Sequence, residues 1–479
     1  MATKARVARE SARVATGVVA LAVGVVAVGA AILLPIPGFS ITPPSSTVTP
    51  VPTSQQRVCP GPLYELAADA SAATDLTAFG PVATEAGAGT GSPAPSLSSL
   101  QTPDDTAAGA QGAPKVVTVP ATSDASVPQL AAAQSQTAGL EDITGLATAA
   151  CAEPTPDSWL VGGSTTLGQT SLVLLSNPGS VQATVNLSIY GGSGPIDAAA
   201  SQGILVPPHS QKVIPLSGLA PSVAMPVVHV DTVVGQVLAS MQQSFVDGIQ
   251  PEGAELVGAT SDPATQQVIS GLTLAAPAAP IAGGGSESYP VSYPALRLLD
   301  TGSAAATVRI GISGERGTAA GNSLTATIQP GEVTEVPLTG LAAGSFTVNI
   351  DSDQPVVAAA RTTSSTSTGT DFAWFVASQK LSGQFLVAVP QGPGAVIHLA
   401  NTSRSAQSIA VTGPKGSGQR VSIPAQTSVG VPVSAAGVYS IAGANSLVAS
   451  VGFSGPGLLS SFAVDPPAPL AAPITVYPR

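Results

Sequence analysis

Apolar and polar residues alternate with a period of two through much of this chain, most clearly over residues 172–191, LVLLSNPGSVQATVNLSIYG. That pattern predicts a strand, a tight turn at Asn177-Pro178-Gly179, and a second strand in which Val185, Leu187 and Ile189 alternate with Asn186, Ser188 and Tyr190. The same hairpin returns as LRLLDTGSAAATVRIGISG from Leu296 and as VIHLANTSRSAQSIAVTG from Val396. A second hairpin aligns Val206 with Ile328 and Ile423, at offsets of 122 and then 95, and the same alignment superposes Pro215, Pro337 and Pro432. A third follows at 228–230 with 237–240, 348–350 with 356–360, and 439–441 with 447–451. Similar apolar strands introduce the units: WLVGG at Trp159, ELVGA at Glu255, WFVAS at Trp374, and a last SFAVD at Ser461.

About seven short strands per unit, with turn signals every 8–12 residues and no 3.6-residue period, predict an all-β fold of tandem immunoglobulin-like β-sandwich repeats. Propeller-like closed β repeats are the alternative, with the incomplete last copy completing the first; three repeats are few for the usual four to eight blades. The boundaries read as repeat 1 at 159–252, repeat 2 at 253–371 and repeat 3 at 372–457, then a closing strand and tail at 458–479.

Upstream the pattern changes. Residues 14–34, VATGVVALAVGVVAVGAAILL, carry no charge. As a helix they would reach about 31 Å, enough for a bilayer core of about 30 Å. Lys4, Arg6, Arg9 and Arg13 stand before them against the single acid Glu10. The positive-inside rule makes 1–13 a cytoplasmic tail and 14–34 a signal-anchor helix, with the bulk of the chain extracytoplasmic at the cell membrane. Secretion after cleavage at the small residues Val28-Gly29-Ala30 is the competing reading, although the apolar run exceeds the usual length of a signal core. Residues 35–57 read as a Pro/Ser/Thr-rich stalk and 58–158 as an irregular cysteine-bracketed segment, with 83–113 a low-complexity loop.

Composition agrees. Only 9% of residues are charged, and 51 Gly and 44 Pro oppose long helices. After residue 13 the chain holds 12 basic and 26 acidic side chains, so a nucleic-acid partner is not expected. Cys59 and Cys151 both lie beyond the apolar segment, and export would make them one disulfide. Closing that loop is worth up to about 4.6 kcal/mol in the chain-entropy model.

Candidate chemistry is thin. His209, His229 and His398 occupy non-equivalent places in the repeats, which argues against a shared metal site and for ordinary surface or strand roles. Asp351 and Asp353, with Asp300 in another loop, form the best acidic cluster, but calcium wants six to eight oxygens and Asp-rich turns are common. Asp157, Asp231, Glu252, Glu255, Glu332 and Glu335 fall in expected turns or on polar faces, so no carboxylate pair suited to glycoside hydrolysis is expected. Gly87, Gly89 and Gly91 lie in low-complexity sequence, not between a strand and a helix. The chain has no G-x-S-x-G, H-E-x-x-H or C-x-x-C. Trp159 and Trp374, at similar strand positions, are expected to serve core or interface packing.

The N-terminal anchor, Cys-Pro at 59–60, Cys-Ala-Glu-Pro at 151–154 leading to WLVGG, the LVLLSNPG hairpin and the closing APITVYPR resemble an uncharacterised family of exported, membrane-anchored actinobacterial proteins, a domain of unknown function. The resemblance covers most of the chain from Cys59 and rests on strands, turns and a cysteine pair. It implies an envelope location, often with genes for envelope glycosyltransferases nearby, and no catalytic residue or cofactor. The expectation is a non-enzymatic envelope scaffold or binding module, with a glycan or a membrane protein as partner. An accessory subunit of a glycan-assembly enzyme is the second reading and an undetected hydrolase the third. Functional differences should lie where the units differ: the 59–151 segment, 275–292 and 362–370.

Overall fold

The hairpin read at 172–191 is present, and the strand pairing around it is repeated twice more. A computed structural model describes residues 54–66, 76–107, 109, 112–120, 129–139, 143–278, 288–317, 321–367 and 369–466, together with 18–19, 21–23, 25, 46–48 and 474–476. The chain divides into two compact units, one of residues 1–50 with 472–479 and one of residues 51–471. In the first, β1 (Ser46–Val48) pairs antiparallel with Ile474–Val476. Residues 18–19, 21–23 and 25 are helical. The span expected at 14–34 otherwise lies outside the described residues, and among the described residues no helix is long and apolar enough to cross a membrane.

In the second unit, eight strands precede the repeats, the first at the end of the expected stalk and seven within the segment expected to be irregular. They are β2 (Gln55–Val58), β3 (Leu63–Leu66), β4 (Leu76–Phe79), β5 (Ala83–Ala88), β6 (Ser96–Ser99), β7 (Lys115–Val119), β8 (Leu130–Gly139) and β9 (Thr144–Ala150). They pair in the orders β2-β7-β6, β3-β4 and β5-β8-β9. The stretch expected as a loop at 83–113 therefore holds β5 and β6. Its Ala/Gly composition has no strand propensity, and the sheet forms because the small Ala86 and Ala88 pack against the cluster around Val117, Leu130 and Ala132.

The first repeat follows with β10 (Asp157–Val161), β11 (Gln169–Asn177), β12 (Ala183–Gly191), β13 (Gly194–Ile196), β14 (Ile204–Val206), β15 (Ser210–Pro215), β16 (Val227–Val234), β17 (Leu238–Asp247) and β18 (Gln250–Val257). One sheet runs β10-β16-β12, with β13 and β14 both on β12; the other runs β15-β11-β17-β18. The second repeat has β19 (Ala264–Leu274), β20 (Ala295–Asp300), β21 (Ala306–Gly314), β22 (Asn322–Ile328), β23 (Val333–Pro337), β24 (Gly344–Thr366) and β25 (Gly369–Val376). The third has β26 (Leu381–Val389), β27 (Val396–Asn401), β28 (Gln407–Thr412), β29 (Gly418–Ile423), β30 (Ser428–Pro432), β31 (Gly437–Gly455) and β32 (Leu458–Ala463). The long β24 and β31 each do the work of β16 and β17 together. Their first halves pair with β19 and β21, or β26 and β28; their second halves pair with β20 and β25, or β27 and β32. One strand thus passes from one sheet to the other, and each seven-stranded sheet curls until it is nearly closed and barrel-like.

Register confirms the alignment by proline: Pro215, Pro337 and Pro432 face Leu172, Ala295 and Val396. Five residues on, the first hairpin strand ends in Asn177, Asp300 and Asn401. Each side chain accepts the amide two residues ahead, at 2.9, 2.7 and 3.0 Å, which fixes the turn. Asn177 and Asn401 also donate to the carbonyls of Val206 and Ile423. Asp300 has no N–H to do so; its Oδ2 is buried without a partner among the described residues, and burial pushes its carboxyl up.

No repeat keeps a private core. Phe372 and Trp374 of β25 pack into the first repeat beside Val257, Leu459 of β32 packs into the second, and Leu146 of β9 packs into the third. Ala254 and Leu256 of β18 pack on Ala147 and Ala149 of β9. Each module is seated on the one before it, and the cysteine-bracketed segment meets both the first repeat and the third.

Glutamine side chains tie that segment together, through Gln134 and Gln136, and join it to the first repeat, through Gln211 and Gln242. Gln134 bonds both the N–H and the C=O of Gly61, and Gln242 does the same for Tyr64, at 2.8 and 2.6 Å. Gln136 accepts from Leu63, while Gln211 donates to Pro60 and accepts from the Tyr64 hydroxyl. These amides stand in for neighbouring strands and satisfy backbone that is buried beyond any ladder. The expected disulfide is formed: Cys59 and Cys151, both buried, join the ends of β2 and β9.

Candidate functional site: a cavity at the ends of the central strands

Strands β9, β18, β25 and β32 each form the free edge of their own sheet, and each packs against the next until β32 returns to β9. Four sheet edges are thereby covered, but their outward N–H groups need acceptors. Asp371 supplies them. Its Oδ2 accepts the amides of Leu146 at 2.9 Å and Leu459 at 3.0 Å, and its Oδ1 accepts that of Phe372 at 3.0 Å. The Ala254 amide is close enough to favour the charged form of the same carboxyl, so one side chain bears on all four strands. Gly145 and Gly253 make room for it. Both have positive φ, and a Cβ there would lie 2.5 or 2.7 Å from Asp371 Oδ1.

Beside it, Glu255 accepts from the Ser460 hydroxyl at 2.9 Å, and Ser460 lies 2.8 Å from the Thr148 hydroxyl. Burial, the larger effect, pushes the Asp371 carboxyl up to about 8 against the pull of its amide bonds. Burial and the neighbouring Asp371 hold Glu255 well above the usual range. Both carboxylates are fully enclosed, which suits a structural pin and leaves no path for a substrate.

At the C-terminal ends of the four strands the structure opens into a cavity of about 250 Å³. Ala149 and Ala150, Gly258 to Asp262, Val376 with Gln379, and Ser461 to Ala463 come from the four strand ends; Arg57, Glu153, Asp157 and Ser240 complete the wall. Trp374, Phe462 and Leu238 give the cavity an apolar side. Arg57 is 6% exposed, and its Nη2 lies 3.3 Å from Glu153 Oε1. Among the described residues, Arg57 Nε, Glu153 Oε1 and Ser240 Oγ are buried without a hydrogen-bond partner, and all three residues line this cavity. Buried polar atoms are nearly always satisfied, so Arg57 Nε and Ser240 Oγ, with Glu153 Oε1 held only by its ion pair to Arg57, mark the polar part of the cavity wall.

A second charged cluster lies between the first and second repeats. Arg297 donates to Glu335 at 2.8 and 3.1 Å and to the carbonyls of Gly163 and Pro226, while Arg361 lies 3.7 Å from Glu335. Both guanidinium groups lie over the Trp374 ring, at 4.6 and 5.4 Å. Burial lowers Arg297 to about 10 and lowers Arg361 as well. Burial alone would raise Glu335, but the two arginines and the Tyr289 amide outweigh it and leave the carboxyl below its usual value.

The acids expected on polar faces or in turns thus include two, Glu255 and Glu335, that are buried. Each is tolerated because a neighbouring module supplies its partners, a relation no local pattern displays. His398, expected to be ordinary, is also buried and bonds Glu315 of the second repeat at 2.8 Å. His229 stacks on Trp159 at 4.1 Å and bonds Asp157 at 2.7 Å, while His209 is an exposed turn residue with φ 49°. Asp353 accepts the Thr307 amide and Asp351 accepts from Gln266. Among the described residues no three His, Cys, Asp or Glu are grouped so as to hold a metal ion. Trp374 is an interface residue whose Nε1 donates to Gln243 at 2.7 Å. It closes the second repeat, whereas Trp159 opens the first, so the two are not topological equivalents. Arg57 and Asp371 were not singled out by sequence; an isolated charge before or within an apolar strand was the available signal.

The fold and cavity define an all-β repeat protein closed through its N-terminal segment. Over residues 106–434 the chain matches the model of a family described as a family of unknown function (DUF5719), and it belongs to that family. No curated protein matches it. Among solved structures, the crystal structure of Thermotoga maritima 1070 is similar at 18% identity and a TM-score of 0.20, over 24% of this chain and 95% of that one. A likeness at that score carries no argument.

Proposed function

We propose that this protein is a non-catalytic binding module of the cell envelope. In this reading residues 14–34 anchor it, the bulk of the chain lies outside the membrane, and each repeat is an immunoglobulin-like sandwich. The observation that supports it best is the cavity at the central strand ends, with the buried Arg57 Nε, Glu153 Oε1 and Ser240 Oγ around it. Residues from three repeats and the N-terminal segment meet there, so the closed ring serves to build one site. Arg57 is paired with Glu153, an arrangement suited to gripping a ligand rather than to moving a proton.

A photoreactive residue at Gln379, exposed and on the cavity wall, tests this in intact cells, with Ile249 as a surface control. A defined adduct from position 379 and none from 249 is expected. Equal yields, or no adduct, would remove the cavity as the binding site. Anchoring is tested by fractionation: release of the full-length chain by high salt would sink it.

A further inference from the structure

The charges around the cavity restrict what it can hold. Arg57 is the one cationic side chain among the described lining residues, facing Glu153, Asp157, Asp262 and Asp465. Glu153 Oε1 lies 3.3 Å from its guanidinium. Asp465 is close enough to feel both: burial pushes its carboxyl up, Arg57 pulls it down and Glu153 raises it again. A phosphate or carboxylate entering beside Arg57 would meet these two acids, and like charges at short range oppose it. A metal ion would meet the guanidinium.

A neutral hydroxyl meets no such conflict. It can accept from Arg57 Nε–H and donate to Glu153 Oε1, while Ser240 Oγ can do either. The charge on Arg57 and on Glu153 strengthens the first two bonds. The apolar lining, Trp374, Phe462, Val376 and Leu238, is suited to C–H groups. The volume has room on the order of eight water molecules, the bulk of one small ring.

We infer that the cavity binds a neutral polyhydroxylated ring, a single sugar unit, with Arg57 and Glu153 gripping adjacent hydroxyls, Ser240 a third, and Trp374 and Phe462 against its apolar face. This rests on the reading of the cavity as a binding site.

The test uses the full chain in a detergent without a sugar headgroup. Glucose, galactose, mannose and arabinose are titrated by calorimetry and saturation-transfer NMR, beside inorganic phosphate, calcium and ethanolamine. At least one neutral sugar should bind, and Ser240→Ala and Glu153→Gln should each raise its Kd about tenfold or more. Gln379→Trp, at an exposed position, should block the mouth with the thermal midpoint unchanged, which keeps the test sound if a buried variant fails to fold. Tighter binding of an oligosaccharide ending in that sugar would assign the site to a glycan terminus; equal or weaker binding would assign it to the free sugar. Binding of phosphate, calcium or ethanolamine with no sugar bound, binding of none of the probes, or sugar binding indifferent to all three substitutions would each overturn the assignment. A non-carbohydrate adduct from position 379 would do so while leaving the binding role intact.

Discussion

The carboxylate of Asp371 accepts the backbone amide of Leu146 at 2.9 Å across 225 positions of sequence. The same side chain accepts from Leu459 and Phe372, so a single residue joins the ring strand that comes first in the chain to the one that comes last. Its protonation is then a property of the whole fold.

Stability should fall as pH rises from about 4 to about 8. An ordinary Asp titrates at 3.8 and Asp371 in the folded protein at about 8. Between those values the folded protein keeps a proton that the unfolded chain has released, and stability decreases with pH wherever the folded state binds more protons. The loss for Asp371 alone is on the order of 5 kcal/mol, complete above about pH 8. Glu255 is displaced the same way. Calorimetric midpoints across pH 4–9 should decline, with a shallower slope in Asp371→Asn. Midpoints that climb through this window would refute a neutral Asp371.

Gly145→Ala should cost about 2–4 kcal/mol. The added methyl would lie 2.5 Å from Asp371 Oδ1 and 3.0 Å from the Ala254 nitrogen, on backbone with φ +119°. Gly91→Ala, also at positive φ but with nothing within 4 Å, isolates the backbone contribution, and urea titration of both variants gives the difference.

Gln242→Leu should destabilise the protein by about 2–4 kcal/mol, because it strands the buried N–H and C=O of Tyr64 together. Limited proteolysis should then cut near residues 61–66 first, with the Cys59–Cys151 bridge retaining the fragments until reduction. Cleavage elsewhere first would show that the glutamine does not hold this segment.

Glu335→Gln should cost about 3–5 kcal/mol by leaving Arg297 and Arg361 buried without their counter-charge. Strand register places Leu174, Val213 and Gln242 of the first repeat at the positions of Arg297, Glu335 and Arg361. The triple variant Arg297→Leu, Glu335→Val, Arg361→Gln should therefore recover part of that loss. Chemical denaturation of both settles the comparison.

The repeats, their aligned prolines and the disulfide were legible in sequence because strand alternation, turn residues and cysteine pairing are local or compositional signals. The ring was not. Its parts are single residues that do not recur: where the first repeat has Glu255, register places Ala373 and Ser460 in the others. Comparing copies discounts whatever differs between them, and the pin, the cavity and the charged interface are all built from differences. Arg57 acquires its meaning only when β2 is brought against the ends of β9, β17, β18, β25 and β32.

The bond between Thr148 and Ser460 spans 312 residues, and this has a consequence for biosynthesis. A chain made from its N-terminus has β9 in hand long before β32 exists to cover Leu146. Closing a loop of that length costs about 5 kcal/mol of chain entropy, recovered only when the last strand docks. Folding of the ring should therefore end in one late, slow step. Any product truncated before residue 458 would lack the strand that covers β9 and carry an open seam there, a surface for chaperones and proteases to find.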